Sequence, residues 1–249
     1  MNATTPYTPE QLAQWNAELE GQSPQAILRW SVEKFYPELT MACSFGGPSG
    51  MVLLDMMSQI ERGVDVFYLD TDFLFPETLE TRDKAIARYG MTPVAYKTDL
   101  SPAAQAARHG EELWLSDPDL CCQIRKVEPN ARALEGKRAW ITGIRRDQGA
   151  SRGDADIVQW DDKFGLVKML PLATWLEADV WAHIVKNDVP YNPLHDREYP
   201  SIGCTNCTLA VKPGDDLRSG RWQGTDKVEC GLHTGDEPIT LARGEDLAG

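Results

Sequence analysis

The strongest constraint on the fold is a short apolar run, Leu39-Thr40-Met41-Ala42-Cys43, that leads directly into Ser44-Phe45-Gly46-Gly47-Pro48-Ser49-Gly50 and then into the apolar-periodic stretch Met51 to Ile60. A run of that length reads as a buried strand and the longer periodic stretch as a helix, so the glycines mark a tight strand-to-helix loop. The unit then recurs. Val64 to Leu69 reads as a buried strand, Pro76 to Tyr89 as a helix ended by Gly90, and Pro93 to Lys97 as another strand. Leu120 to Leu134 follows as a helix, Arg138 to Thr142 and Val167 to Leu170 as strands, and Glu177 to Lys186 as a helix with Val180 and Ile184, and Trp181 beside them, facing inward. Strands alternating with helices imply an α/β fold with an open, mostly parallel sheet flanked by helices.

Upstream of this repeat, Thr8 to Glu20 is polar with a thin apolar stripe, and Ser23-Pro24 opens a helix with an N-cap serine and a first-turn proline. Ile27, Leu28, Val32 and Phe35 form its expected buried face. After Pro190 no period is sustained, and Pro, Gly, Asp and Arg are scattered to the C-terminus. The expected organisation is an N-terminal helical segment over 1–38, a main α/β domain over 39–210, and an irregular, mobile C-terminal tail over 211–249.

A net charge of -13 excludes a chain whose main partner is a nucleic-acid backbone, because that affinity comes from clustered bases. Met1 to Leu28 holds no Lys or Arg and no continuous apolar core, so it lacks the parts of a secretory signal, and no apolar run reaches the ~20 residues of a membrane span. A cytoplasmic location without membrane attachment is expected, and a homo-oligomer is left open. In that reducing setting, clustered cysteines point to metal ligation or redox catalysis ahead of disulfides.

The six cysteines are unevenly placed. Cys121-Cys122 and Cys204-Thr205-Asn206-Cys207 supply four thiols as an adjacent pair and a C-x-x-C pair. Adjacent Cα atoms stand ~3.8 Å apart, short of the usual ~4.4 to 6.8 Å disulfide span, so Cys121 and Cys122 are poorly placed to bridge each other. Four thiolates suit an iron-sulfur cluster or zinc, although an adjacent pair is an unusual half of a zinc site. Taken alone, a C-x-x-C is also a redox pair and a Cys-Cys also two buried small hydrophobes. Cys43 reads as a buried strand residue. Cys230, in Glu229-Cys230-Gly231-Leu232-His233, stands apart in a polar tail and is either a nucleophile or an incidental exposed thiol.

Bases gather beside these thiols in an otherwise acidic chain: Arg125-Lys126, Arg145-Arg146, Arg152, Arg218 and Arg221. Guanidinium forks match phosphate and sulfate oxygens, so part of this set suits an anionic ligand while the remainder are solvated charges. The loop from Ser44 to Gly50 offers backbone N–H groups and a helix N-terminus to a phosphate, but lacks the Gly-Lys-Ser/Thr ending of a Walker loop and the spacing of G-x-G-x-x-G.

Taken together, SFGGPSG, LDTDFLFPET, CCQIRKVEPNARAL, WITGIRRDQGASR, VPYNPLHDREYPSIGCTNC, GRW and ECGLH, from about Cys43 to Gly235, resemble the phosphoadenylyl-sulfate and adenylyl-sulfate reductases, which are built on the adenine-nucleotide α-hydrolase fold of the PP-loop ATP pyrophosphatases. The resemblance implies that Cys230 attacks the sulfur of adenylyl sulfate, expels AMP and becomes an S-sulfocysteine, from which thioredoxin or glutaredoxin releases sulfite. It implies that Cys121, Cys122, Cys204 and Cys207 hold one 4Fe-4S cluster, a feature of the adenylyl-sulfate branch. It places Ser44, Gly46, Gly47 and Leu69 against adenosine, and Lys126, Arg145, Arg218, Arg221 and His233 against phosphate and sulfate. Departures are the Gly-Pro-Ser-Gly of the glycine loop, Asp72 where a glycine is common, and a short stretch between Arg221 and Cys230. Three rivals remain: a reductase of the 3'-phosphorylated nucleotide, an ATP-consuming PP-loop ligase or sulfurtransferase, and a non-catalytic iron-sulfur or zinc sensor.

Overall fold

The structure, a computed structural model of the chain, describes residues 5–149, 152–212 and 214–233. The end of the expected tail, 234–249, lies outside these residues. Six strands, β1 (Leu39–Ala42), β2 (Asp65–Leu69), β3 (Val94–Tyr96), β4 (Ala139–Ile141), β5 (Val158–Asp161) and β6 (Leu166–Met169), form one sheet in the order β3-β2-β1-β4-β6-β5. All neighbours pair in parallel except β5, which runs antiparallel to β6 at the edge.

Helices α1 (Pro9–Leu19), α2 (Pro24–Phe35), α3 (Pro48–Ile60), α4 (Pro76–Tyr89), α5 (Pro102–His109), α6 (Leu113–Ser116), α7 (Pro118–Cys122), α8 (Glu128–Leu134) and α9 (Glu177–Asn187) surround the sheet. Strand side chains alternate between its faces. Val66 and Tyr68 of β2 and Ala139 and Ile141 of β4 join the larger core with α1, α2, α3 and α9, whereas Phe67 and Trp140 point to a smaller core with Ala133 and Leu134 of α8. The N-terminal helices therefore share the core of the sheet through Trp15, Leu19, Ile27, Leu28 and Phe35. Val32 is only half-buried, and Ser31 takes the inward place, its hydroxyl donating to Ile27 O at 2.8 Å.

Local chemistry explains the element ends. Ser23 caps α2 by accepting from Ala26 N, and Gly90 ends α4 at a φ of 65°, where a side chain is strained. The helix expected from Leu120 to Leu134 is α7 and α8 joined by a π turn, Gln123–Val127. The wider turn carries one extra residue, so consecutive Ile124, Arg125, Lys126 and Val127 are all buried where an α-helix would turn part of the run to solvent. No helix among the described residues is long and apolar enough to cross a membrane.

The chain leaves β1 toward β2 and β3, then returns to add β4 on the opposite side of β1. Connections depart in opposite directions at that point, so the loops beyond β1 and β4 diverge and leave a crevice.

Candidate functional site

A cleft of about 310 Å³ opens there, lined by Cys43, Ser44 and Gly46 to Gly50 after β1, by Leu69 at the end of β2 and Thr71 beyond it, and by Thr142, Gly143 and Ile144 after β4. Gly143 permits the closeness of these walls: a Cβ there would lie 2.9 Å from Ser49 Cβ. Gly47 caps α3 without a side-chain bond, leaving the first-turn N–H groups for a ligand. The loop is held from behind, with His195 Nε2 2.9 Å from Gly46 O and Asn192 Nδ2 donating to Phe45 O at 3.4 Å. Burial pushes His195 below the usual histidine value, which keeps the ring neutral as a donor to that carbonyl.

Lys126, Arg152, Arg218, Arg221, Trp222, Glu229, Cys230 and His233 also line the cleft. Of the expected anion-facing residues, Arg145 is absent from it. Its guanidinium is buried behind α3, donating to Ser49 Oγ and to Asp147 Oδ1 at 2.9 Å, because an acid two residues along captures it. Arg152 occupies the cleft instead, and the strand-end position of Arg145 gave no hint of this difference. Arg125 also turns away: it is fully buried and donates to Gln105 Oε1, Thr71 O, Asp72 Oδ2 and Leu100 O. Lys126 has no such carboxylate among the described residues. Burial opposes its charge, but Cys204, Cys122 and Cys230 around it hold its pKa above the usual lysine range.

Trp222 organises this end of the cleft. It is buried, with the guanidinium carbons of Arg221 and Arg218 at 4.4 and 5.8 Å and Lys126 Nζ at 5.9 Å from its ring centroid. The backbone N–H of Trp222 donates to Cys207 O at 3.2 Å, and Arg221 Nε donates to the same carbonyl at 3.3 Å, tying the Gly-Arg-Trp turn to the C-x-x-C loop. At the far end His233 stacks on Trp140 at 5.7 Å. Burial, followed by the fields of Lys168, Arg152, Arg218 and Lys163, holds His233 well below the usual histidine value.

Cys121, Cys122, Cys204 and Cys207 line a second, small hollow next to the cleft, together with Arg125 and Lys126. All four are free thiols. Burial, then the neighbouring sulfurs, pushes Cys121 up to about 11 and Cys207 up to about 12. Cys204 Sγ is 3.3 Å from Thr71 Oγ1 in the cleft, and Cys204 and Lys126 line both spaces. Among the described residues no group of His, Cys, Asp and Glu has the arrangement of a single-ion site. Cys43 is buried just past β1, where burial pushes its thiol up to about 12, as befits a strand-end core residue. Cys230 is half-buried in the cleft wall, on the same lining as Lys126 and Arg218.

A family model described as the phosphoadenosine phosphosulfate reductase domain matches residues 38–210. The chain belongs to this reductase family. Relatives named adenosine 5'-phosphosulfate reductase are 44% identical in Salinibacter ruber, over 94% of this chain and 93% of that protein, and 48% identical in Shouchella clausii, over 88% and 90%. A Gloeobacter violaceus relative, 49% identical over 91% of this chain and 93% of its own length, is named phosphoadenosine 5'-phosphosulfate reductase. Among solved structures, the phosphoadenylyl-sulfate reductase of Candida auris in a phosphate complex superposes with a TM-score of 0.75 at 36% identity, covering 83% of this chain and all of that one. A Candida glabrata FMN adenylyltransferase, at 15% identity and a TM-score of 0.56, shares the fold alone.

Proposed function

We propose that this family member is an adenylyl-sulfate reductase in which Cys230 takes the sulfonate group. The observation that carries the reading is that one tail thiol and four cationic side chains, Lys126, Arg152, Arg218 and Arg221, line the same cleft as the glycine loop. Adenosine fits against Ser44, Gly46, Gly47 and Leu69, and its phosphate and sulfate against Lys126, Arg218 and Arg221, with His233 closing the far side. Arg145 acts one step back, by fixing Ser49 at the start of α3.

In the reaction, the Cys230 thiolate attacks the sulfur of adenylyl sulfate. A sulfur-sulfur bond forms, the bond from sulfur to the phosphate oxygen breaks, and AMP leaves with the electron pair. Fixed cations facing the departing phosphate lower this barrier without reorganising. A dithiol reductant of the thioredoxin or glutaredoxin kind then attacks the Cys230 sulfur, releases sulfite, and closes its own disulfide with the second thiol.

Cys121, Cys122, Cys204 and Cys207 would hold a 4Fe-4S cluster, one per chain. Four free thiols around one hollow, with a cation beside them, are a fitting donor set for such a group. When bound, the cluster supplies negative charge and rigidity beside Lys126; the chemistry above is carried by the thiol. A cytoplasmic setting suits thiols kept reduced.

The test is sulfite and AMP release from adenylyl sulfate with a dithiol reductant. Wild-type protein is expected to produce both and Cys230→Ser neither, with about four iron atoms per chain, lost on Cys121→Ser or Cys204→Ser. Sulfite production by Cys230→Ser refutes the reading. The name of the Gloeobacter relative favours a second reading, turnover of the 3'-phosphorylated nucleotide. Rates with the two nucleotides side by side decide between them.

A further inference from the structure

Glu229 is the one carboxylate in the cleft wall among the described residues, and it directly precedes the thiol that the site presents. Both its oxygens are engaged. Arg152 donates to it through Nε at 3.1 Å and through one terminal nitrogen at 2.8 and 2.9 Å, and Arg218 donates at 3.0 Å. The same Arg218 nitrogen reaches Val228 O at 2.9 Å, and Lys163 Nζ reaches Gly231 O at 2.7 Å, so Cys230 is tied on both flanks. Gln148 Oε1 takes the other terminal nitrogen of Arg152 at 2.6 Å. Each nitrogen of the Arg152 guanidinium thereby has a protein acceptor, whereas Arg218 spends a single nitrogen on the tail.

Exposure decides how much such an ion pair contributes. Pairs in open solvent contribute little, but the side chains here are 7% exposed for Glu229 and 14% for Arg152. In that setting a charge-assisted, forked pair is strong while both partners are present, and removing one leaves a buried charge uncompensated.

We propose that Glu229, gripped by Arg152 and Arg218, is the latch that sets Cys230 over the cleft, a positioning residue whose task is separable from ligand binding. The proposal rests on the reading that Cys230 accepts the sulfonate, since a latch for an idle thiol would have no task. It yields a split that a merely structural role would not. Without the carboxylate, both arginines are free to meet an incoming anion, so AMP binds as well or more tightly. The thiol meanwhile loses its alignment, and transfer slows. Misplacement of a reacting group by about 1 Å costs on the order of a hundred-fold, so a slowing of at least about ten-fold is expected.

Three measurements on the full chain test the latch in wild type, Glu229→Ala and Glu229→Asp. They are AMP affinity by calorimetry, the single-turnover rate of sulfonate transfer to Cys230 by mass spectrometry without reductant, and the rate of tryptic cleavage after Lys227. Glu229→Ala is expected to slow transfer and speed cleavage while AMP affinity holds or rises, and Glu229→Asp to recover part of both. An AMP affinity that falls in step with the rate, or a transfer rate and a cleavage rate that both stay at the wild-type values, overturns the proposal. If Glu229→Ala does not fold, Arg152→Met is read in the same assays with the same expected slowing and faster cleavage. If wild-type protein forms no adduct at all, the proposed function fails. Cleavage after Lys227 then reports the tether alone: faster cleavage in the variant shows that Glu229 anchors the segment without a thiol to position, and an unchanged rate overturns the anchoring as well.

Discussion

Replacing Arg125 by Met tests whether the π turn is held by a buried guanidinium or merely accommodates one. In the native protein this side chain is 1% exposed and donates to Gln105 Oε1 at 2.7 Å, Asp72 Oδ2 at 2.9 Å, Thr71 O at 3.0 Å and Leu100 O at 3.3 Å. Its carbon centre also lies 4.6 Å from the ring of Phe73. Met fills much of the same space, so the cost comes from acceptors left behind. Gln105 is buried and loses its bond outright, while Asp72 is 22% exposed and keeps Lys97 at 3.1 Å, which softens its share. Buried acceptors left unsatisfied cost about 1 to 3 kcal/mol each, so with Gln105 Oε1 and the carbonyls of Thr71 and Leu100 losing their donor the expected loss is about 3 to 5 kcal/mol. At about 2 to 4 °C per kcal/mol for a chain of this size, the midpoint of thermal unfolding is expected to fall by roughly 6 to 20 °C. Scanning calorimetry measures it, with Arg108→Ala, at an exposed site, as a control expected to stay within about 0.5 kcal/mol. A loss below about 1 kcal/mol in Arg125→Met shows that the π turn merely accommodates the guanidinium.

The other expectations concern pH and the glycine wall. His195 is depressed below its ordinary value near 6.5 by burial, so below that pH the unfolded chain binds a proton that the folded protein refuses. Stability is therefore expected to fall as pH drops from 6.5 toward the depressed folded value and to show no His195 contribution above it. Urea titrations of wild type and His195→Gln at several pH values measure the slope; an equal acid loss in both contradicts the assignment. Gly143→Ala puts a Cβ 2.9 Å from Ser49 Cβ and 3.2 Å from Gly50 N, which forces the start of α3 away from β4. AMP affinity is expected to drop about ten-fold, the equivalent of about 1.4 kcal/mol, and calorimetry with unchanged affinity would show that the wall tolerates widening.

Much of the fold was legible because its signals are local. The βα alternation, the Ser23 cap and the Gly90 stop are decided by residues a few positions apart, and β1, α3 and α4 follow from them. Strand β5 escaped because it is a four-residue antiparallel edge after a polar stretch, a pairing that depends on β6 and on Asn16 of α1, which bonds Val158 N and O at 2.8 Å. The π turn escaped for a related reason: it takes the tertiary demand to bury both Arg125 and Lys126 to justify an extra residue per turn.

At the site, the cysteines that clustering singled out meet around one hollow, because an adjacent pair and a C-x-x-C pair each keep their thiols together locally. The arginines were legible only in part: Arg218 and Arg221 line the cleft, whereas Arg145 is missing from it and Arg152 is present. Which guanidinium faces the cleft depends on which neighbour captures it, Asp147 for Arg145 and Glu229 for Arg152. Glu229 itself carried one usable signal, an acid beside a thiol in a segment otherwise paired with bases. Trp222 carried another, as the aromatic residue directly after Arg221.

The central claim is that one tail sulfur, and no other group, receives the sulfonate. Mass spectrometry of peptides from protein incubated with adenylyl sulfate in the absence of reductant tests it directly. The expected result is a single SO3 adduct on the peptide containing Cys230, formed together with one AMP per chain. An adduct on any other cysteine, or AMP release with Cys230 unmodified, would contradict the account.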